Sequence, residues 1–357
     1  MARRWNTALA VCTGGLLAIF SVPPMWSRLM EDQGMVDVRD QAEKSQLVFR
    51  GQVVAVTPDT QNKTISSWRD GKPVNTNFVA SIQIDRFYRG NPAGNAAIHF
   101  SFGGIEGING HDCFDFRPGQ LWLFFAMERN GMTELLDDCT GALGISQRLG
   151  SKLSRPDWKA QMEADFIAGL EDTDQQSRVF SLQRLGGLHL ASSRPALREA
   201  LKEREGPEAD WAVYALLRTG DYTALPKVNA ALATGDPALV SVIDYELRNV
   251  KDPSAVPALL DIAKNAPNDY SRLEAMISLV WILRDPRVVP VLGAALSSSN
   301  EQIRYMALEG LETIAKSSAC KRPPGLGKNG DRAIERAVAS CTVWWEREGI
   351  HQTWVRD

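Results

Sequence analysis

The sequence predicts two domains of different class: a small all-β barrel over residues 46–150 and an all-α repeat solenoid over 176–350, bridged by a helix within 151–175. Three observations predict it. Short runs rich in β-branched and aromatic residues, punctuated by Gly, Pro and Asn, fill the segment after residue 46. Beyond residue 154 the apolar period becomes helical. From residue 190 onward a proline-centred pattern recurs at spacings of 31, 31 and 33 residues. A chain of 357 residues with 44% hydrophobic and 23% charged side chains accommodates two such domains.

The first thirty residues read apart from the rest. A cationic stub, Met1-Ala-Arg-Arg4, precedes an apolar run over 7–22, the pattern of an export signal. Sixteen helical residues span roughly 24 Å, short of the ~30 Å hydrocarbon core, so the run suits a signal peptide or a marginal N-terminal membrane anchor. Removal and retention both stay open, because Ile19-Phe20-Ser21 is an incomplete cleavage site. In either case the rest of the chain is expected outside the cytosol, periplasmic or secreted. Residues 31–45 are polar and aperiodic and read as a tether.

Five strands follow, over 47–56, 78–88, 97–102, 120–127 and 132–136. Turn signals at Asn91-Pro92, Gly103-Gly104, Pro118-Gly119 and Asn130-Gly131 separate them, the last a tight-hairpin signal. Five strands in about ninety residues are the size of a partly open barrel of the oligonucleotide/oligosaccharide-binding (OB) type. The string Leu47-Val48-Phe49-x-Gly51-x-Val53-Val54, Phe87-Tyr88-Arg89-Gly90, Cys113, Phe116-x-Pro118-Gly119, Leu121-x-Leu123-Phe124-Phe125-Ala126 and Leu136-x-x-Cys139 resembles the netrin-like domain, the family of the tissue inhibitors of metalloproteinases. The resemblance covers about residues 43–145. In those inhibitors a cysteine at the mature N-terminus chelates the protease zinc. This chain has no cysteine between Cys12 and Cys113, so the resemblance implies the barrel without the inhibitory wedge.

Trp158, Met162, Phe166 and Leu170 recur every fourth residue behind Pro156 and predict the bridging helix. The repeat then aligns Pro195, Pro226, Pro257 and Pro290, with Asp221, Asp252 and Asp285 each five residues before its proline. An Asp that caps the turn between two helices, and a proline in the first turn of the second, account for both positions. The hairpins so predicted pair 209–218 with 224–233, 238–249 with 254–264 and 270–283 with 287–296. They resemble HEAT repeats over about 175–348. The first unit departs from the pattern at Leu190, and the last is interrupted over 321–330, as terminal units of an array must differ.

With Cys12 in the signal, four cysteines remain, two per domain: Cys113 with Cys139, and Cys320 with Cys341. Two disulfides are the simplest reading; a metal site is the alternative, although close C-x-x-C pairs are lacking. A net charge of −3 offers no basic field for nucleic acid, and four histidines without i, i+4 spacing argue against histidine-rich metal catalysis. No G-x-S-x-G, H-E-x-x-H or phosphate-binding loop is present. His111-Asp112-Cys113 reads as a loop beside a barrel cysteine, Gly103-Gly104-x-x-Gly107-x-x-Gly110 as an inter-strand loop, and Trp344, Trp345 and Trp354 as the seal of the solenoid's end or a stacking platform. No catalytic residue, metal ligand or cofactor site is therefore assigned. Two functions remain: a non-catalytic exported scaffold that holds a protein partner on the solenoid with the barrel as a second contact, or an inhibitor or enzyme acting through the barrel on an extracytoplasmic protease or glycan.

Overall fold

The structure, a computed structural model, describes residues 36–60, 65–69, 72–75, 77–90, 95–101, 116–137, 140–153, 157–322 and 330–355. Among the described residues eight strands lie in the N-terminal part: β1 (Leu47–Pro58), β2 (Ile65–Arg69), β3 (Lys72–Asn75), β4 (Asn77–Arg89), β5 (Asn95–Ser101), β6 (Leu121–Arg129), β7 (Met132–Leu135) and β8 (Ala142–Gly144). The ring β1-β4-β5-β7-β6 closes through β1–β6 pairing, and β5 and β7 run parallel, which makes a five-stranded OB-type barrel. β2 and β3 form a separate hairpin between β1 and β4, and β8 extends β6. Asn130 and Gly131 both take positive φ (52° and 76°), the backbone an Asn-Gly hairpin turn requires.

β1 pairs with both β4 and β6, and register shifts at Val48/Phe49, Arg50/Gly51 and Val53/Ala55 bend it around the barrel. At Gly51 a Cβ would stand 2.8 Å from the Gln83 carbonyl oxygen, so only glycine lets β4 approach. The apolar runs 47–49 of β1 and 121–127 of β6 are explained by burial on both faces. Phe49, Trp122 and Phe124 fill the barrel, whereas Val48, Leu123 and Phe125 point outward into the helical core.

Twelve α-helices are present among the described residues. Within the segment read as a tether, 38–44 is helical instead: α1 (Val38–Lys44) is capped by the Asp37 carboxylate, and its Val38 and Ala42 are buried. Seven residues are too few for a visible helical period, and their apolar face is only two residues wide. α2 (Trp158–Gly169) is the bridging helix. Five helical hairpins follow: α3 (Gln175–Leu188) with α4 (Arg194–Glu203), α5 (Pro207–Arg218) with α6 (Val228–Leu232), α7 (Pro237–Arg248) with α8 (Val256–Asn265), α9 (Asp269–Ile277) with α10 (Val289–Ala295), and α11 (Glu301–Thr313) with α12 (Gly330–Arg347). The first helix of each hairpin packs on the first helix of the next.

One apolar core runs from the outer face of the barrel through every hairpin. Polar contacts tie the same junction. The buried Arg50 donates to the Arg148 and Gln147 carbonyls at 2.8 and 2.7 Å, the Tyr88 hydroxyl donates to Asp165 at 2.8 Å, and the buried Arg184 of α3 donates to the Gly144 carbonyl at 3.2 Å. Burial lowers the Arg184 pKa to about 9 and raises that of Asp165.

Candidate binding groove

The repeat residues act locally. Asp221, Asp252 and Asp285 each cap a short 3-10 turn, accepting from Thr223, Ser254 and Arg287 backbone N–H groups at 3.2, 2.9 and 3.0 Å. Pro257 and Pro290 stand in the first turn of α8 and α10 immediately beyond, while Pro226 lies inside its 3-10 turn. In the first unit Leu190 occupies the cap and supplies no side-chain acceptor. Arg198 of α4 reaches Asp221 at 2.6 Å, so one cap also links successive units.

Cys320 and Cys341 form a disulfide between the 3-10 turn Ser318–Cys320 and α12. Cys113 and Cys139 lie outside the described residues, as do residues 1–35, His111, Asp112 and the glycine-rich loop at 103–110. Trp344, Trp345 and Trp354 pack against the core as the end of the array, with Trp345 seated on Gly293 of α10, where a Cβ would be 2.1 Å from the indole. Among the described residues no helix is long and apolar enough to cross a membrane.

The surface feature that sequence reasoning missed is a groove along the first helices of four successive hairpins. It comprises two cavities of about 470 and 770 Å³ that share Arg248, Tyr270 and Glu274. Helical spacing brings the lining together: Tyr245 and Arg248 on α7; Tyr270, Glu274 and Ile277 on α9; Glu301, Tyr305 and Glu309 on α11. Asp37, before α1, stands at one end, and Ile334 of α12 at the other. Tyr245, Tyr270 and Trp281 are 61%, 54% and 41% exposed, a concentration of large apolar rings on one face.

Trp281 reaches this face through an irregularity. α9 continues into a π turn over Ser278–Ile282, in which the Leu283 N–H bonds the Ser278 carbonyl, and Arg284 then takes φ of 50°. The spacing of 33 residues between Pro257 and Pro290, against 31 elsewhere, includes one extra residue between Asn268 and Asp285 that this turn absorbs, the other lying before α9. That was the signal in the sequence.

Charges are arranged around the rings. Arg218 pairs with Glu246 at 2.7 Å and Asp37 at 3.3 Å and stands over the Tyr245 ring, 5.6 Å from its centroid. Burial raises the Glu246 pKa against the opposing pull of Arg218. Arg322 pairs with Glu309 and stands 5.6 Å from the Tyr305 centroid. Arg248 Nε is 2.6 Å from Glu274. In all, five carboxylates line the cavities (Asp37, Glu246, Glu274, Glu301, Glu309) against two guanidinium groups (Arg218, Arg248). In the barrel, His99 Nδ1 is 2.9 Å from the buried Asp59 carboxylate, an arrangement that ties β5 to the end of β1.

The helical region matches a known family in part. Residues 229–312 and 256–339 match the family model described as HEAT repeats. No curated protein matches the chain. Among solved structures, a chain of the complex of CpcE and CpcF of phycocyanin lyase from Nostoc sp. PCC7120 is similar at 18% identity and a TM-score of 0.34, over 53% of this chain and 77% of that one.

Proposed function

With HEAT repeats forming the helical region, we propose that the chain is a non-catalytic, exported interaction scaffold. The groove along α5, α7, α9 and α11 holds a segment of a protein partner, and the barrel, of netrin-like type, supplies a second contact. The observation that carries this reading is the row of half-exposed rings Tyr245, Tyr270 and Trp281 across successive repeats. A monomer gains nothing from leaving such rings in water, whereas aromatic side chains set beside salt-bridged arginines are the composition of interface centres. Export is supported by the apolar run 7–22 behind Arg3 and Arg4 and by the Cys320–Cys341 bridge, since disulfides persist in oxidising compartments. The netrin-like assignment rests on the motif string, in which Gly51 has the steric role described and Gly90 takes φ of 78°.

The test is affinity capture from the envelope fraction with the full chain and with a variant carrying Tyr245→Ala, Tyr270→Ala and Trp281→Ala. A partner enriched by the native chain and lost by the variant, with unchanged circular dichroism, is the expected result. Equal capture by both places the binding surface elsewhere.

A further inference from the structure

The two cavities meet where α7 faces α9, and of the three side chains they share the buried one is Glu274. It is 2% exposed, and among the described residues neither of its carboxylate oxygens accepts a well-aligned hydrogen bond; the Tyr270 hydroxyl is its one neighbouring neutral donor. Its counter-ion is Arg248, whose Nε is close but out of line for a hydrogen bond and whose side chain is half exposed. Behind it the buried Asp244 takes the Ser271 hydroxyl on one oxygen and leaves the other without a hydrogen bond. A buried carboxylate without aligned donors is costly and favours any cation that supplies them. The surroundings add to that preference, because carboxylates outnumber guanidinium groups five to two along the lining. Tyr245 and Tyr305 already carry the chain's own arginines on their faces, whereas among the described residues no cation lies over Tyr270 or Trp281.

We infer that this junction is a subsite for a lysine or arginine side chain of the partner, its cationic head on Glu274 in place of Arg248 and its aliphatic stem along Tyr270 and Trp281. The inference rests on the reading of the groove as the partner site and specifies the partner's chemistry. Exchange of one cation for another keeps the charge of the junction constant, so the incoming group is not opposed by a new buried charge. An aromatic face strengthens the attachment where water is excluded. Acidic lining of this kind repels phosphate-bearing surfaces, which sets nucleic acid and anionic lipid aside.

The experiment uses the full chain and fluorescently labelled short peptides that differ only at a central position: arginine, lysine, citrulline or glutamate. Fluorescence anisotropy should show the arginine and lysine peptides binding about tenfold or more tighter than citrulline, its neutral isostere. Glu274→Gln should erase that difference. Arg248→Ala should strengthen binding of the arginine peptide severalfold, because it removes the internal competitor; a merely structural Arg248 would give the opposite sign. Equal affinities for arginine and citrulline, an advantage that survives Glu274→Gln, or weaker binding by Arg248→Ala each overturn the subsite. If Glu274→Gln does not fold, the Arg248→Ala sign and competition by free arginine against free citrulline decide the matter. Absence of peptide binding alongside Trp281-dependent capture of the partner refutes the subsite and leaves the groove standing, whereas capture indifferent to the three ring substitutions refutes the groove itself.

Discussion

Replacing Asp244 by Asn should stabilise the protein at neutral pH and lose that advantage in mild acid. Asp244 is 2% exposed, and burial together with the neighbouring Glu274 charge raises its pKa from 3.8 to about 6, against the opposing Ser271 hydrogen bond. Between those two values the folded chain keeps a proton that the unfolded chain has released, so stability falls as pH rises through this window. A displacement of roughly two pH units corresponds to about 3 kcal/mol by pH 7, at about 1.4 kcal/mol per unit. Asn carries no charge to desolvate and still accepts from Ser271, so this cost is absent from the variant. Other groups move the opposite way: Asp172, lowered by the Ser146 hydroxyl and three backbone N–H groups against the cost of burial, contributes stability that is lost as pH falls. Such groups are common to both proteins and cancel in the difference. Urea unfolding of native and Asp244→Asn chains at pH 4 and pH 7.5, followed by circular dichroism, should show the variant gaining on the native chain by about 2–3 kcal/mol over that interval. A difference independent of pH, or one growing toward acid, would refute the assignment of a desolvated carboxylate at Asp244.

Replacing both Cys320 and Cys341 by Ser opens a loop of 21 residues and should lower stability by about 3 kcal/mol under the loop-entropy model, read from urea midpoints; thiol titration of the denatured, unreduced chain should find neither sulfur free. Deleting 236–265 removes α7 and α8 as one unit and should leave a shorter folded solenoid, since neighbouring hairpins present similar faces, whereas a non-repeating bundle would unfold; circular dichroism of the deletion chain distinguishes them.

What was legible in the sequence was whatever repeats or alternates. The proline-centred pattern located the hairpins because Asp221, Asp252 and Asp285 solve one local problem, a backbone N–H left over at a helix start, with one residue type. The strands of the barrel showed through turn chemistry, Asn130-Gly131 most directly. The polar reading of 31–45 failed at α1 because a seven-residue helix is held by tertiary burial of Val38 and Ala42 and has no period of its own. The hairpin of β2 and β3 and the short β8 escaped for a similar reason, being too brief to carry a pattern.

The groove was illegible for a different reason: it is assembled across units, one or two residues from each, at separations near the repeat length. Tyr245, Tyr270 and Tyr305 look like ordinary half-buried positions within their own helices, and only the stacking of α7, α9 and α11 makes them a row. The exception is Trp281. A perfect repeat specifies a uniform surface, so a site that differs along the array must be written as a departure from it. Between Pro257 and Pro290 the departure is two residues long; one lies before α9, and α9 accommodates the other by widening into the π turn that carries Trp281 and Ile282 to the surface. A regular α-helix through the same segment would advance the indole by about 100° per residue removed and turn it off the groove. The irregular spacing, readable from the chain alone, thus marks the repeat in which regular packing gives way to the candidate site.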